Sequence, residues 1–141
     1  MSREIVRLWK RSFYPVVALL TLLRGPVSIF GMVILIGVVD VLKRLFGEMR
    51  PDHSDRRSFP SGHSATSWFL VVLFAEAHVW NVVIALWASA VTISRVVFKR
   101  HFVHDVIAGA ALGILFALVL KKLFPVWYAK GWRALQRREQ N

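Results

Sequence analysis

WNVVIALWASAVTISRVVFKRHFVHDVIAGAALGILFALVLKKL, residues 80 to 123, consists of two long apolar runs joined by a short, strongly polar link. A helix needs about 20 apolar residues to cross a hydrocarbon core, so residues 80–98 and 105–125 read as two membrane-crossing helices. The link crowds Arg95, Lys99, Arg100, His101, His104 and Asp105 into one segment at the mouth of those helices. Polar groups gathered at helix ends are how an apolar bundle builds a site.

Working outward, residues 26–46 and 63–79 have the same apolar character. The sequence therefore predicts an all-α fold, a polytopic transmembrane bundle of about four spanning helices. Between the second and third spans, EAHVWNV, residues 76–82, leaves room only for a tight helical hairpin turn. Before the first span, the apolar run Phe13 to Leu23 covers only about 16 Å at 1.5 Å per residue. With Arg3, Arg7, Lys10 and Arg11 beside Trp9, Phe13 and Tyr14, it reads as an interfacial or half-spanning amphipathic helix that turns at Arg24-Gly25-Pro26. The lack of a small-residue cleavage site after this run argues against a signal peptide. The expected organisation is a single integral-membrane domain: 1–25 the N-terminal helix, 26–125 the bundle and 126–141 a basic tail, with no internal repeat.

Composition supports a membrane setting. The chain of 141 residues is 56% hydrophobic, yet carries 19 Lys+Arg against 8 Asp+Glu, for a formal net charge of +11. Those charges cluster at the ends of apolar runs, with no groove-reading motif and no basic-aromatic alternation, which argues against a nucleic-acid partner. There is no cysteine, so disulfide and thiolate chemistry are excluded.

Four spans with a short central hairpin bring the end of the first, the start of the second, the end of the third and the start of the fourth to one membrane face. Three polar clusters lie there: KRLFGEMRP at 43–51, FPSGHS at 59–64 and the link at 94–105. Lys43 and Arg50 are seven residues apart, two helical turns, so both can face one pocket before Pro51 ends the helix. A lysine point charge and an arginine fork suit phosphate oxygens, and Arg95 adds a second guanidinium. Pro60-Ser61-Gly62-His63 reads as a helix start, where free N–H groups favour an anion and Gly62 lets backbone approach closely. His101 and Asp105 are four apart, so the carboxylate can hold one ring nitrogen and present the other as a nucleophile.

Lys43 with Arg50-Pro51, then Pro60-Ser61-Gly62-His63, then Ser94-Arg95 with His101 and Asp105, resembles the tripartite signature of the type 2 phosphatidic acid phosphatase family. The signature positions are occupied in order across residues 43 to 105; His104 stands where a small or hydroxyl residue is common. The resemblance implies a metal-independent lipid phosphatase without a cofactor. It makes His101 the nucleophile of a phosphohistidine intermediate, Asp105 its orienting partner, and His63 the acid that protonates the leaving alkoxide and later activates water. Lys43, Arg50, Ser61, Gly62 and Arg95 would bind the phosphate. The implied substrates are phosphatidic acid, phosphatidylglycerophosphate, polyprenyl diphosphate and the anomeric phosphate of lipid A. The family also contains soluble acid phosphatases and vanadate-dependent haloperoxidases, so an oxidant on the same motif is one alternative. A non-catalytic binder of anionic lipid is another, although it gives no reason for His101 and Asp105 opposite His63.

Other readings attach to single residues. Arg44, Arg56, Arg57, Lys99 and Arg100 read equally as headgroup-facing anchors. His63, His101, His104 and Asp105 could ligate a divalent metal, but the crowded cations would repel one, and no metal is expected. His53 reads as a solvated loop residue, and His78 as a structural residue in the hairpin turn. Asp40, a carboxylate inside the first span, is expected to pair with a basic partner. Ser94 either donates to phosphate or caps a helix end. Trp9, Trp80, Trp127 and Trp132 suggest an aromatic belt at one interface. Eleven of the 19 Lys and Arg, from Arg3, Arg7, Lys10, Arg11 and Arg24 to Lys121, Lys122, Lys130, Arg133, Arg137 and Arg138, fall on the side of the termini. The positive-inside rule then puts the termini in the cytoplasm and the site on the outer, or periplasmic, face of the inner membrane.

Overall fold

Each apolar run becomes a helix, and each break falls where the chain offers a cap, a glycine or a polar anchor. The computed structural model describes residues 3–76 and 78–126, with side chains from 11 to 76 and from 79 to 126. It contains α1 (Arg3–Leu23), α2 (Pro26–Phe46), α3 (Gly62–Leu73), α4 (His78–Val97) and α5 (Val103–Leu123), and no strand among the described residues. The expected all-α class is observed. The basic tail beyond residue 126, with Trp127 and Trp132, lies outside the described residues, as do the side chains of Trp9 and His78.

Two helices, Val79–Val97 and Val103–Leu123, are long and apolar enough to cross a membrane. Their outer faces expose large apolar side chains, among them Leu86, Ile93, Ile107 and Leu115, as α2 exposes Phe30, Val33 and Ile36. Such faces are consistent with membrane association. The predicted second span differs most: α3 has 12 residues, about 18 Å of helix, short of a core of about 30 Å. It stops because Phe74–Glu76 turn, with Glu76 held 2.7 Å from Lys121 and 3.6 Å from the buried Arg24. The hairpin turn thus comes slightly before the predicted 76–82, and α4 begins at His78.

Helix α1 runs unbroken over 21 residues, with Pro15 inside it. Phe13, Val17 and Thr21 recur at i, i+4 and i+8 and are all buried, so α1 packs a continuous stripe onto the bundle. The first span ends at Phe46 as expected, but the helix does not run on to Pro51. Helix α2 closes at Gly47, whose φ of 56° is the left-handed C-cap conformation and whose N–H donates to Lys43 O at 3.2 Å. Arg50 therefore sits on the following loop and not on the helix.

The tightest seam joins α3 to α5. A Cβ on Gly109 would lie 2.3 Å from Ser61 O, and one on Gly113 would lie 2.0 Å from Ala65 O. Spaced four apart, these glycines let the two backbones touch, as small residues do in membrane bundles. Ser61 N also donates to Asp105 O at 2.9 Å, tying the two N-termini together. Gly113→Ala is accordingly expected to cost about 1–3 kcal/mol through overpacking. Gly37→Ala, where a Cβ meets nothing within 4 Å, is expected to leave the thermal midpoint of the detergent-purified protein unchanged or slightly raised. Equal midpoints for the two variants would remove the close seam.

Candidate active site

A cavity of about 440 Å³ opens where the three polar clusters meet. Its polar wall includes Lys43 from the end of α2, Arg50, Asp55 and Arg57 from the following loop, Gly62 and His63 from the start of α3, Arg95 from α4, and His101 from the link to α5. Its apolar wall is Phe13, Tyr14 and Val17 of α1 with Ile36 and Val39 of α2. Six of the eight sequence-selected site residues, Lys43, Arg50, Gly62, His63, Arg95 and His101, thus line one space. Ser61 and Asp105 sit behind it, both with 0% exposure.

Those two buried groups organise the wall. Ser61 is the N-cap of α3, its hydroxyl oxygen accepting from Ser64 N at 3.5 Å and from Ser64 Oγ at 3.2 Å. Its backbone N–H is already given to Asp105 O. The hydroxyl therefore caps the helix, and Ser61 is not among the residues that line the cavity. Asp105 Oδ2 accepts from Phe102 N at 2.8 Å and from the Ser58 hydroxyl, and lies 3.5 Å from His101 Nδ1. With Nδ1 turned toward Asp105, Nε2 is the nitrogen His101 has left for the cavity.

Charge in the site is unbalanced. Arg50 Nε lies 2.8 Å from Asp55, Arg100 pairs with Asp52 at 3.1 Å, and Arg44 and Arg57 both pair with Asp40. Asp40 thus has the basic partners expected of it. Lys43 Nζ, by contrast, donates only to carbonyls, Arg57 O at 2.7 Å and Ser58 O at 3.3 Å. Arg95 is 2% exposed, its Nε has no hydrogen-bond partner, and among the described residues neither it nor Lys43 forms an ion pair. Two cations without carboxylates in a half-closed cavity suit a doubly charged anion.

The two cavity histidines have different surroundings. His63 packs against Phe13, centroids 4.4 Å apart, and Tyr14, 5.8 Å apart, and its buried Nε2 has no partner. His101 lies in the link, where burial pushes its pKa down to about 4, with Lys43, Arg50 and Arg95 pushing the same way against Asp105. It is therefore neutral at pH 7, the form a nitrogen nucleophile needs. His104 is not in the cavity. Its Nε2 sits 2.8 Å from Glu48 and 3.1 Å from Asp105 Oδ1, and its ring stacks on Phe102. The histidine and carboxylate atoms that come together are those of Glu48, His104 and Asp105, not the set of His63, His101, His104 and Asp105 considered from the sequence. Ser94 bonds Val91 O at 2.6 Å, within its own helix, and His53 lies exposed in a turn with φ 54°.

Sequence reasoning missed Ser58 and Phe13. Ser58 is a fully buried hydroxyl 47 positions from the carboxylate it serves, and no local spacing announces such a contact. Phe13 could have been found from the i, i+4 stripe with Val17, which marks the packed face of α1.

A helical bundle whose mouth holds phosphate-type cations and two histidines defines a class of protein, and similarity narrows it. The PAP2 superfamily model matches residues 25–129, and the chain belongs to that superfamily. Lipid A 1-phosphatase of Porphyromonas gingivalis is 40% identical over 90 residues, covering 60% of this chain and 20% of that protein. Lipid A 1-phosphatase of Rhizobium johnstonii is 34% identical over 116 residues, 68% of this chain and 46% of that one. Phosphatidylglycerophosphatase B of Bacillus subtilis is 36% identical over 98 residues, 57% and 48% of the two chains. The chain therefore spans between a fifth and about half of the length of these curated relatives. No solved structure matches it.

The environment of His101 makes a direct prediction. In an NMR titration of the ligand-free protein its ring is expected to protonate near 4, below the ordinary 6.5. Lys43→Met should raise that midpoint by removing a cation that disfavours imidazolium, and Asp105→Asn should lower it. A midpoint at or above 6.5 in the parent protein would contradict the neutral-imidazole site.

Proposed function

We propose that the chain is a multi-pass membrane phosphatase that hydrolyses a phosphate monoester or diphosphate of a lipid through a phosphohistidine intermediate. The observation that carries this reading is the single cavity in which Lys43 and Arg95, both without carboxylate partners, face His63 and His101 beside an apolar wall. A phosphate dianion neutralises the two cations, while the apolar wall suits the chain to which the phosphate is attached. His101 Nε2 attacks phosphorus, with Asp105 holding the far side of its ring. The N–P bond forms as the P–O bond to the lipid breaks, and a proton from His63 goes to the departing oxygen. His63 then takes a proton from water, whose oxygen attacks phosphorus; the N–P bond breaks and inorganic phosphate leaves. Lys43, Arg50 and Arg95, together with the backbone at Gly62, stabilise the charge on the transferring phosphoryl oxygens.

The names of the relatives favour lipid A 1-phosphate and phosphatidylglycerophosphate ahead of phosphatidic acid and polyprenyl diphosphate. Phosphate release from these four, measured on detergent-purified protein with a chelator present, tests the reading. His101→Ala and His63→Ala should each lower turnover by at least about a thousandfold. Release that persists in either variant would overturn the assigned roles. Silence on every lipid, with lipid binding retained, would favour a non-catalytic anionic-lipid binder.

The proposed setting is the inner membrane, in which the chain is multi-pass, with the termini in the cytoplasm and the cavity on the outer face. The chain has no cysteine, so a single Ser54→Cys in the exposed loop before α3 reports the face cleanly. A membrane-impermeant maleimide is expected to label it in intact spheroplasts. Labelling only after lysis would reverse the orientation.

A further inference from the structure

Helix α1 ends at Leu23, before the family match begins at residue 25, yet it supplies Phe13, Tyr14 and Val17 to the cavity. Phe13 is the closest of these to the chemistry. Its ring is 4% exposed and lies between two partners, the His63 imidazole at 4.4 Å with an interplanar angle of 33°, and the Trp87 indole at 5.7 Å and 15°. The stack therefore reaches from α4 through α1 to the first turn of α3.

His63 has little else to fix its ring. Its Nε2 has no hydrogen-bond partner, and its backbone carbonyl, which accepts from Ser67 at 2.8 Å, does not constrain the ring. An imidazole without a polar tether is held by the surfaces it packs against, and here those are Phe13 on one side and the edge of Tyr14. His101 differs, because Asp105 lies behind its ring. The two histidines are thus positioned by different physics, one by a carboxylate and the other by an aromatic wall borrowed from the N-terminal helix.

We infer that Phe13 is a positioning residue for His63, aiming its Nε2 at the oxygen of the departing lipid alcohol. This rests on the phosphatase reading above, in which the His63 proton goes to that oxygen as the P–O bond breaks. The consequence depends on the leaving group. A lipid alkoxide is strongly basic and needs the proton, whereas a nitrophenolate departs well without it. General acid catalysis contributes roughly 10²–10⁴-fold where it is needed, and a misaimed acid forfeits part of that for the alkyl ester alone.

The test compares Phe13→Leu with the parent protein on an alkyl phosphate lipid and on p-nitrophenyl phosphate. The ratio of alkyl to aryl turnover is expected to fall about tenfold, a part of the general-acid contribution, and Phe13→Tyr or Phe13→Trp should restore it. Equal loss on both esters, leaving the ratio unchanged, would reduce Phe13 to a packing residue and overturn the inference. An independent arm uses the His63 ring protons in the full-length protein, which should resonate upfield under the Phe13 ring current and move downfield in Phe13→Leu. Unchanged shifts would overturn the contact even if no ester were turned over, so failure of the phosphatase reading and failure of the positioning role remain separable.

Discussion

A carboxylate with no solvent exposure holds the mouth of this bundle together. Removing an ionised Asp105 from water costs several kcal/mol unless donors replace the lost hydration. The donors come from two places, the Ser58 hydroxyl from the loop after α2 and the Phe102 N–H from the link before α5, with the His101 ring 3.5 Å away. The same residue's carbonyl accepts from Ser61 N at the start of α3. The loop after α2, the start of α3 and the link before α5 are therefore each tethered to one residue. Hydrogen bonds to a charged group are each worth about 1.5–3 kcal/mol, so the loop and the link are fixed by the requirement to satisfy Asp105. This geometry is available only because Gly109 and Gly113 let α5 lie against the backbone of α3.

The cations obey a complementary logic. Arg44, Arg50, Arg57 and Arg100 are each matched by Asp40, Asp55 or Asp52, which lowers the net charge they contribute. Lys43 and Arg95 are left without such partners at the centre. The field is thus focused on the place where a phosphate would sit, beside a histidine that the same cations help keep unprotonated. Cations paired with carboxylates beside two that are not distinguish this cavity from a merely basic helix end.

Much of this was legible in the sequence because the chemistry sits on local motifs. His101, Gly62, His63 and the cations Lys43, Arg50 and Arg95 line one cavity, with Ser61 and Asp105 buried behind its wall. Boundaries were less legible where tertiary contacts set them. Helix α2 ends at Gly47 and not Pro51 because the glycine adopts the left-handed cap. Helix α3 stops within an apolar run where Phe74–Glu76 turn and Glu76 meets Arg24 and Lys121. Ser61, expected at phosphate, has its hydroxyl on the N–H of its own helix, the usual use of a serine at an N-cap. Ser58 was invisible because its partner lies 47 residues away.

The role of α1 shows how a periphery enters a site. As an amphipathic segment it needs only to cover apolar surface, and Phe13, Val17 and Thr21 do so. Because α3 is short and its first turn carries His63, however, the surface to be covered includes an imidazole. Whatever aromatic residue caps that surface also sets the orientation of the ring. The segment matched by the family begins at residue 25, so this part of the wall lies outside the match, whereas the cations and His101 lie within it. A bundle built in this way separates the polar groups organised around Asp105 from the apolar wall on the other side of the cavity.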